Sequence, residues 1–593
     1  MHYFRKIDPQ NPYATLEWGL FEQEVTVAGK KRRFLTYIPD GVRSATAVVM
    51  VLGPNHCSVE ELLANSGWKE LADHDQSIDG LIVFFLEPEN GIWNTTEPYG
   101  FEAGDVAYVN AVFAKGCERR HYGIHEAKNY LYGVGTGGCI VQMAAMSEPA
   151  LYAGVATVGA VDVSEVYCGA CQKDYCYNLD GFTDLSAKKG IRKGEVPVPV
   201  WVIDDPEFGC AENTLNYWLS TNCADVVTEQ ENADFKEYVR TKDMPYPVNQ
   251  DKAACRVRQS NWPGAAADYG SVHIKRIWQE FLSRQRRWMA DPGGSLRVTR
   301  DPIQDLGMER HYEEIGGWMR EWYVYVPKSI KQTPEKKVPL VFALHGYSCT
   351  GEIYAGNTDW YQVARARGVI LIHPTAVPGP LGGDFETMED ATLPLPSWNF
   401  LHHIRNGPDE FLFFKEMLRR VAEEHAIDLT RVYATGHSQG SMMVQALAMG
   451  MPEMFAAVAP CSGVILGPLY DKFVALPEFN CDVSMPIWMF AGQEEPWLID
   501  AEPSMENATG KTIDLWHRRN QLSGNAADYF QNGWKRYKDR WLDLSYENGD
   551  GQLMLRYTQV EYFPHATMPE MSWRIWDELF AHWSRTESGL KYS

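Results

Sequence analysis

Gly436-His437-Ser438-Gln439-Gly440 is a G-x-S-x-G run. It follows RVYAT, an apolar run of strand type, and precedes SMMVQALAMG, which reads as a helix. A serine in that context sits on a strand-to-helix turn so sharp that its hydroxyl stands clear of the backbone. The flanking glycines admit close neighbours, and the amino end of the next helix directs N–H groups towards developing negative charge. Such a hydroxyl is a nucleophile for acyl transfer if a histidine takes its proton and a carboxylate orients that histidine. The expected chain order is nucleophile, acid, histidine. After Ser438 the strand-like PIWMFAG leads into Gln493-Glu494-Glu495-Pro496, which makes Glu495 the candidate acid, with Glu494 and Asp500 as alternatives. His565 lies between the strand-like LRYTQVEYF and a run of helical periodicity, and is the candidate base. His582 falls inside that helical pattern and suits the role less well. Two backbone N–H donors complete the set: Gln439, next to the nucleophile, and Tyr347, after ALHG. Losing one such donor costs roughly 10²–10³ in rate. Trp398, His345 and His437 are candidates for touching substrate, with His402 and His403 beside them. These residues support attack of Ser438 on an ester carbonyl, departure of an alcohol protonated by His565, and release of the acyl-enzyme by water.

The elements that hold these residues alternate. Short apolar runs such as LVFAL, GVILI, RVYAT and PIWMFAG read as buried parallel strands, and stretches such as EFLFFKEMLRRVAEEHA read as helices between them. That alternation predicts a mostly parallel sheet with helices on both faces. It occurs twice, at a spacing of about 290–305 residues. AVVMVLGPNHC matches PLVFALHGYSC, Trp93-Asn94 matches Trp398-Asn399, NYLYGVGTGGC matches RVYATGHSQGS, and RIWQEFL matches RIWDELF. The junction is placed at ADPGGS (290–295), after a helix-like run IKRIWQEFLSRQRRW, giving domains 1–290 and 295–593. In the first copy Gly135 stands opposite Ser438, Phe208 opposite Glu495 and Ala267 opposite His565, and VLGP replaces ALHG. Residues 1–290 therefore read as a catalytically silent copy. Its roles are expected to be packing, a share of a lid or cleft, or homo-oligomerisation.

On LVFALHG, SWNF, IDLTRVYATGHSQGS, AAVAPCSG and PHATMPEMSW, residues of about 310–585 resemble the polyhydroxybutyrate depolymerase-like and feruloyl esterase group of carbohydrate esterase family one. The resemblance implies a single-domain-type α/β hydrolase with no metal and no cofactor, and together with the internal repeat this predicts two tandem α/β-hydrolase domains. It also implies hydrolysis of hydroxycinnamoyl or other acyl esters of plant carbohydrates or small phenolics. Hydroxyalkanoate polyesters are the alternative within that group, and a serine peptidase is the alternative on the same fold. The family pattern carries Asp where this chain has Glu495.

The bulk composition narrows the partners. At 593 residues with a formal net charge of −23, the chain repels phosphate backbones and anionic membranes, so nucleic acid is excluded and small-molecule or oligosaccharide esters are expected. No run of about 18 apolar residues suggests a membrane span. The amino terminus lacks the pattern of a secretory leader, which points to the cytoplasm, with secretion left open if a leader has been removed. Cys168, Cys171 and Cys176 form a CxxC-x4-C cluster without a matching second half, so reduced thiols rather than zinc are expected. The stretch 498–550 between acid and base reads as a cap or as surface helices.

Overall fold

The computed structural model describes residues 5–43, 45–74, 80–118, 122–177, 191–228, 234–243, 252–288, 296–379, 394–400, 407–465, 483–495, 500–538 and 540–593. The junction 290–295 and the pair His402 and His403 lie outside them.

Fully apolar runs form the central strands. Val338–Leu344, Ile370–Thr375 and Ile487–Gly492 are buried at every position, as strands covered on both faces must be. The edge strand Gly19–Val27 instead alternates in its buried part. Ten strands from Gly19–Val27 to Val257–Asn261 form one sheet, and ten from Glu309–Ile315 to Leu553–Val560 form the other. Numbered by chain order within each sheet, both run 1-2-4-3-5-6-7-10-9-8. The inner strands pair in parallel and both edges are antiparallel. Each half is thus an α/β domain of the same topology.

The register confirms the alignment of the copies at the position opposite the histidine. Val200 pairs with Val257 in the first sheet, and Ile487 with Leu555 in the second. Counting forward without a gap brings Ala267 opposite His565.

The helix-like run before the junction is corrected. The helix Ile274–Glu280 stops early, and Gln285–Arg287 is a strand paired with Val298–Arg300. The guanidiniums explain the change. Arg287 donates to the carbonyls of Pro149, Tyr152 and Pro197, and Arg286 reaches Glu352 of the second half at 2.9 Å and Asp301 at 2.8 Å. Buried charge needs such partners, and a continued helix would strand them. The 498–550 stretch is also more specific than expected. It holds the helix Ala508–Arg519, and WKRYKDRW contributes to an antiparallel pair, Trp534–Tyr537 with Trp541–Glu547, on the sheet edge.

The halves are fastened by buried ion pairs. Arg43 binds Glu321 at 2.9 Å, and Lys128 joins Arg286 on Glu352. Apolar contact continues the seam: Leu395 is part of the first half's core, and Tyr347 packs against it.

Candidate active site

Ser438 ends the strand Ile427–His437 and caps the helix Gln439–Gly450 with φ 55° and ψ −119°, a region L-residues rarely occupy. Its side chain makes no capping bond, and the residue is half-buried. The turn closes because both glycines of the motif are bare. A Cβ on Gly436 would meet the Gly440 carbonyl oxygen at 2.6 Å, and one on Gly440 would meet that of His345 at 2.5 Å. Gly346 packs on the nucleophile in the same way, its missing Cβ being 3.1 Å from Ser438 Cβ. The loop carrying Tyr347 therefore lies against the elbow, with the amide of Gln439 opening the helix on the other side.

His565 Nδ1 is hydrogen-bonded to Glu495 Oε2, and Glu495 Oε1 accepts the Gly492 N–H at 3.1 Å. The Glu495 side chain is fully buried, whereas that of His565 is 20% exposed. A carboxylate at Nδ1 leaves Nε2 as the proton acceptor. Glu494 is exposed, and Asp500 is engaged with Asn507 and the Glu502 N–H, so neither holds the histidine. The longer arm of Glu495 is taken up by its turn back onto the strand end at Gly492.

Consecutive residues tie the elbow to the histidine loop. Ser438 N–H donates to the Cys461 carbonyl at 2.9 Å, and Ser462 Oγ donates to the Ala566 carbonyl at 3.3 Å. The ring of His437 lies 4.7 Å from that of His565. Ser462 was not singled out from the sequence. It has φ 52° where the first copy has Gly159 at 53°, and matching LYAGVATVGA (151–160) with MFAAVAPCSG (454–463) held the signal: a serine where a glycine is favoured.

The three residues expected to touch substrate are placed differently, and their assignment is corrected. Trp398 is 1% exposed, and its indole N–H donates to the His345 carbonyl at 2.8 Å. Trp93 does the same to Gly53 at 2.8 Å in the first half, which marks a framework bond of the fold. His345 is fully buried, its Nε2 accepting the Ala376 N–H and its Nδ1 lying 2.6 Å from the Gly346 carbonyl. His437 is buried, and burial followed by the neighbouring His565 holds it well below the ordinary histidine range. All three shape the loops around Ser438 from behind.

Burial lowers His345 to about 4 and His373, with some help from His345, to about 3. Between those values and the ordinary 6.5 the unfolded chain binds protons that the folded chain refuses. Stability is then highest above pH 6.5 and falls as the pH drops, by on the order of 3 kcal/mol for His345 alone. Thermal unfolding followed from pH 7 to pH 4 is expected to show the decline, and His373→Phe to flatten it. Equal slopes in the two proteins would refute this.

The first half keeps the corner but carries other side chains at the positions of the candidate set. Gly135 has φ 58°, a Cβ on it would meet Pro54 at 3.3 Å, and Phe208 and Ala267 replace acid and base. Among the described residues no group of three or more His, Cys, Asp or Glu is arranged to hold a metal. Burial pushes Cys168 up to about 11.

A largely parallel sheet with a serine elbow after its fifth strand, followed in order by a buried acid and a histidine paired to it, defines an α/β hydrolase. Residues 314–565 match the family described as putative esterase. The chain is 30% identical over 149 residues to acetylxylan esterase A of Aspergillus ficuum, covering 25% of this chain and 44% of that protein. It is 27% identical over 200 residues to feruloyl esterase B of Talaromyces funiculosus, covering 33% and 52%. The chain thus spans about half the length of the curated relatives it matches. Among solved structures, acetyl xylan esterase from Aspergillus awamori superposes at 16% identity over 46% of this chain and 99% of the other, with a TM-score of 0.34. No helix among the described residues is long and apolar enough to cross a membrane.

Proposed function

We propose that residues 295–593 form a serine carboxylic ester hydrolase that works through an acyl-enzyme. Its substrates would be hydroxycinnamoyl or other acyl esters of plant carbohydrates or small phenolics, with residues 1–290 as a silent copy that buttresses the oxyanion loop. The observation that carries this is the pairing of a serine at positive φ with a His565–Glu495 hydrogen bond, joined through Cys461 and Ser462. His565 Nε2 accepts the Ser438 proton as the hydroxyl attacks the acyl carbon. The oxyanion is met by the N–H groups of Gln439 and Tyr347. Glu495 stabilises the imidazolium, which then protonates the departing alcohol, and water repeats the sequence on the acyl-enzyme. The names of the relatives, acetylxylan esterase and feruloyl esterase, support carbohydrate-borne acyl groups.

The test is a panel of 4-nitrophenyl acetate, methyl ferulate, acetylated xylo-oligosaccharide and a hydroxyalkanoate oligomer. Hydrolysis of at least one of the first three is expected, and Glu495→Gln should lower its kcat by about 10⁴-fold. Cleavage of the hydroxyalkanoate alone would overturn the substrate class. A Glu495→Gln enzyme at full rate would overturn the mechanism.

A further inference from the structure

A second cleft, of about 820 Å³, opens beside the acid loop and is used by none of the chemistry above. It lies between the segment Glu502–Met505 and the segment Ala527–Trp534, over the last strands of the second sheet. Its wall carries two aromatic rings, Phe530 and Trp534, and a ring of acceptors and amides, Glu502, Asp528 and Gln531, with no lysine or arginine. The inner wall is Gln559. That residue is 5% exposed, and its side-chain Nε2 has no hydrogen-bond partner. A buried amide donor without a partner is costly, and it faces a cleft that an acceptor can enter.

The cleft adjoins the site. Val560, next to Gln559, accepts the N–H of Gln493, two residues before Glu495. Tyr557, on the same face of the strand as Gln559, donates to the Ala501 carbonyl at 2.7 Å and so fixes the start of the cleft wall.

We infer that this cleft binds a neutral glycan chain on the acid-loop side of the candidate active site. The chemistry selects that class. Aromatic side chains offer flat apolar faces to the C–H surface of a sugar ring, carboxylates and side-chain carbonyls accept from hydroxyls, and amide N–H groups donate to hydroxyl and ring oxygens. Two carboxylates and no cation repel uronates, phosphates and sulfates. The inference rests on the ester-hydrolase reading for its purpose: the glycan held here is the alcohol side of the ester presented to Ser438.

The experiment uses the full chain carrying Ser438→Ala, so that binding is read without turnover. Xylohexaose and cellohexaose are titrated by calorimetry and by protein NMR, with hexagalacturonate as the charged probe. Saturable binding of a neutral hexasaccharide is expected, with a Kd below about 10 mM. Asp528→Ala and Trp534→Ala, each added to that background, should weaken it at least tenfold. Asp528 is exposed, so its variant reports even if the tryptophan variant folds poorly. No saturation with either neutral probe, tighter binding of the uronate, or unchanged affinity in the Asp528→Ala protein would overturn the inference. Hydrolysis of 4-nitrophenyl acetate by the unmodified enzyme is followed separately. A protein that hydrolyses that ester yet binds no glycan loses the cleft and keeps the esterase, and one that binds glycan without hydrolysing any ester does the reverse.

Discussion

Ser438→Ala is expected to lower kcat on any accepted ester by about 10⁵–10⁶-fold, with little change in stability. The size follows from the arrangement. In the proposed mechanism Ser438 supplies the atom that attacks, and its chain neighbours His437 and Gln439 are both buried and carry no hydroxyl. What remains is transition-state binding by the oxyanion loop and the helix terminus, worth roughly 10³–10⁴ over water. His565→Ala should fall to a similar level, because nucleophile and base act as a unit and their losses do not add. The double variant is therefore expected to be no slower than either single one. Measured by single-turnover kinetics, a Ser438→Ala enzyme within about a hundredfold of the unmodified rate would place the nucleophile elsewhere.

Arg286→Ala is expected to destabilise the protein by about 3–5 kcal/mol. Arg286 is buried in the seam and pairs with Glu352 and Asp301, both buried. Removing one partner of a buried pair leaves a carboxylate with its desolvation uncompensated, and that penalty is the effect. Lys128 still faces Glu352, which caps the loss. Arg419→Ala is the control. That side chain is half-exposed and pairs with Glu416 and Glu423 on its own helix, so little change in stability is expected. Urea unfolding read by circular dichroism gives both values, and equal midpoints for the two variants would rule out the seam as a source of stability. Glu352 opens the helix Gly351–Gly356, a few residues after Tyr347, so the same substitution tests whether the first half steadies the oxyanion loop.

Much of this was legible in the sequence, for physical reasons that differ by residue. The elbow shows because a strand, two glycines and a helix must sit within a few residues of Ser438. The internal repeat shows because two sheets of the same strand order keep their spacing, so Ala267 falls opposite His565 without a gap. The choice between Glu494 and Glu495 was not legible. Adjacent loop residues differ only in where the backbone aims them, and the bond from Gly492 to Glu495 decides it. Trp398 read equally well as a pocket wall, because an indole bonded to a carbonyl 53 positions away leaves no local trace. The arginines of SRQRR looked like the end of an amphipathic helix. Their partners, the carbonyls near 150 and Glu352, are supplied by distant chain. WKRYKDRW has too many charges for a strand by composition, yet Lys535 and Arg536 are exposed at the sheet edge, whereas Arg540 is buried.

The shared burial of Glu321 and Glu352 has a consequence for the history of such a chain. When a gene is doubled, the spare copy is ordinarily free to decay and vanish. Here the first half holds Arg43, Lys128 and Arg286, the cations that face Glu321 and Glu352 of the second, so loss of that copy would open the seam and strip Glu352 of both cations while leaving Glu321 only Arg310. A doubled chain whose copies share buried charge in this way is held together by electrostatics, whatever each copy does in catalysis.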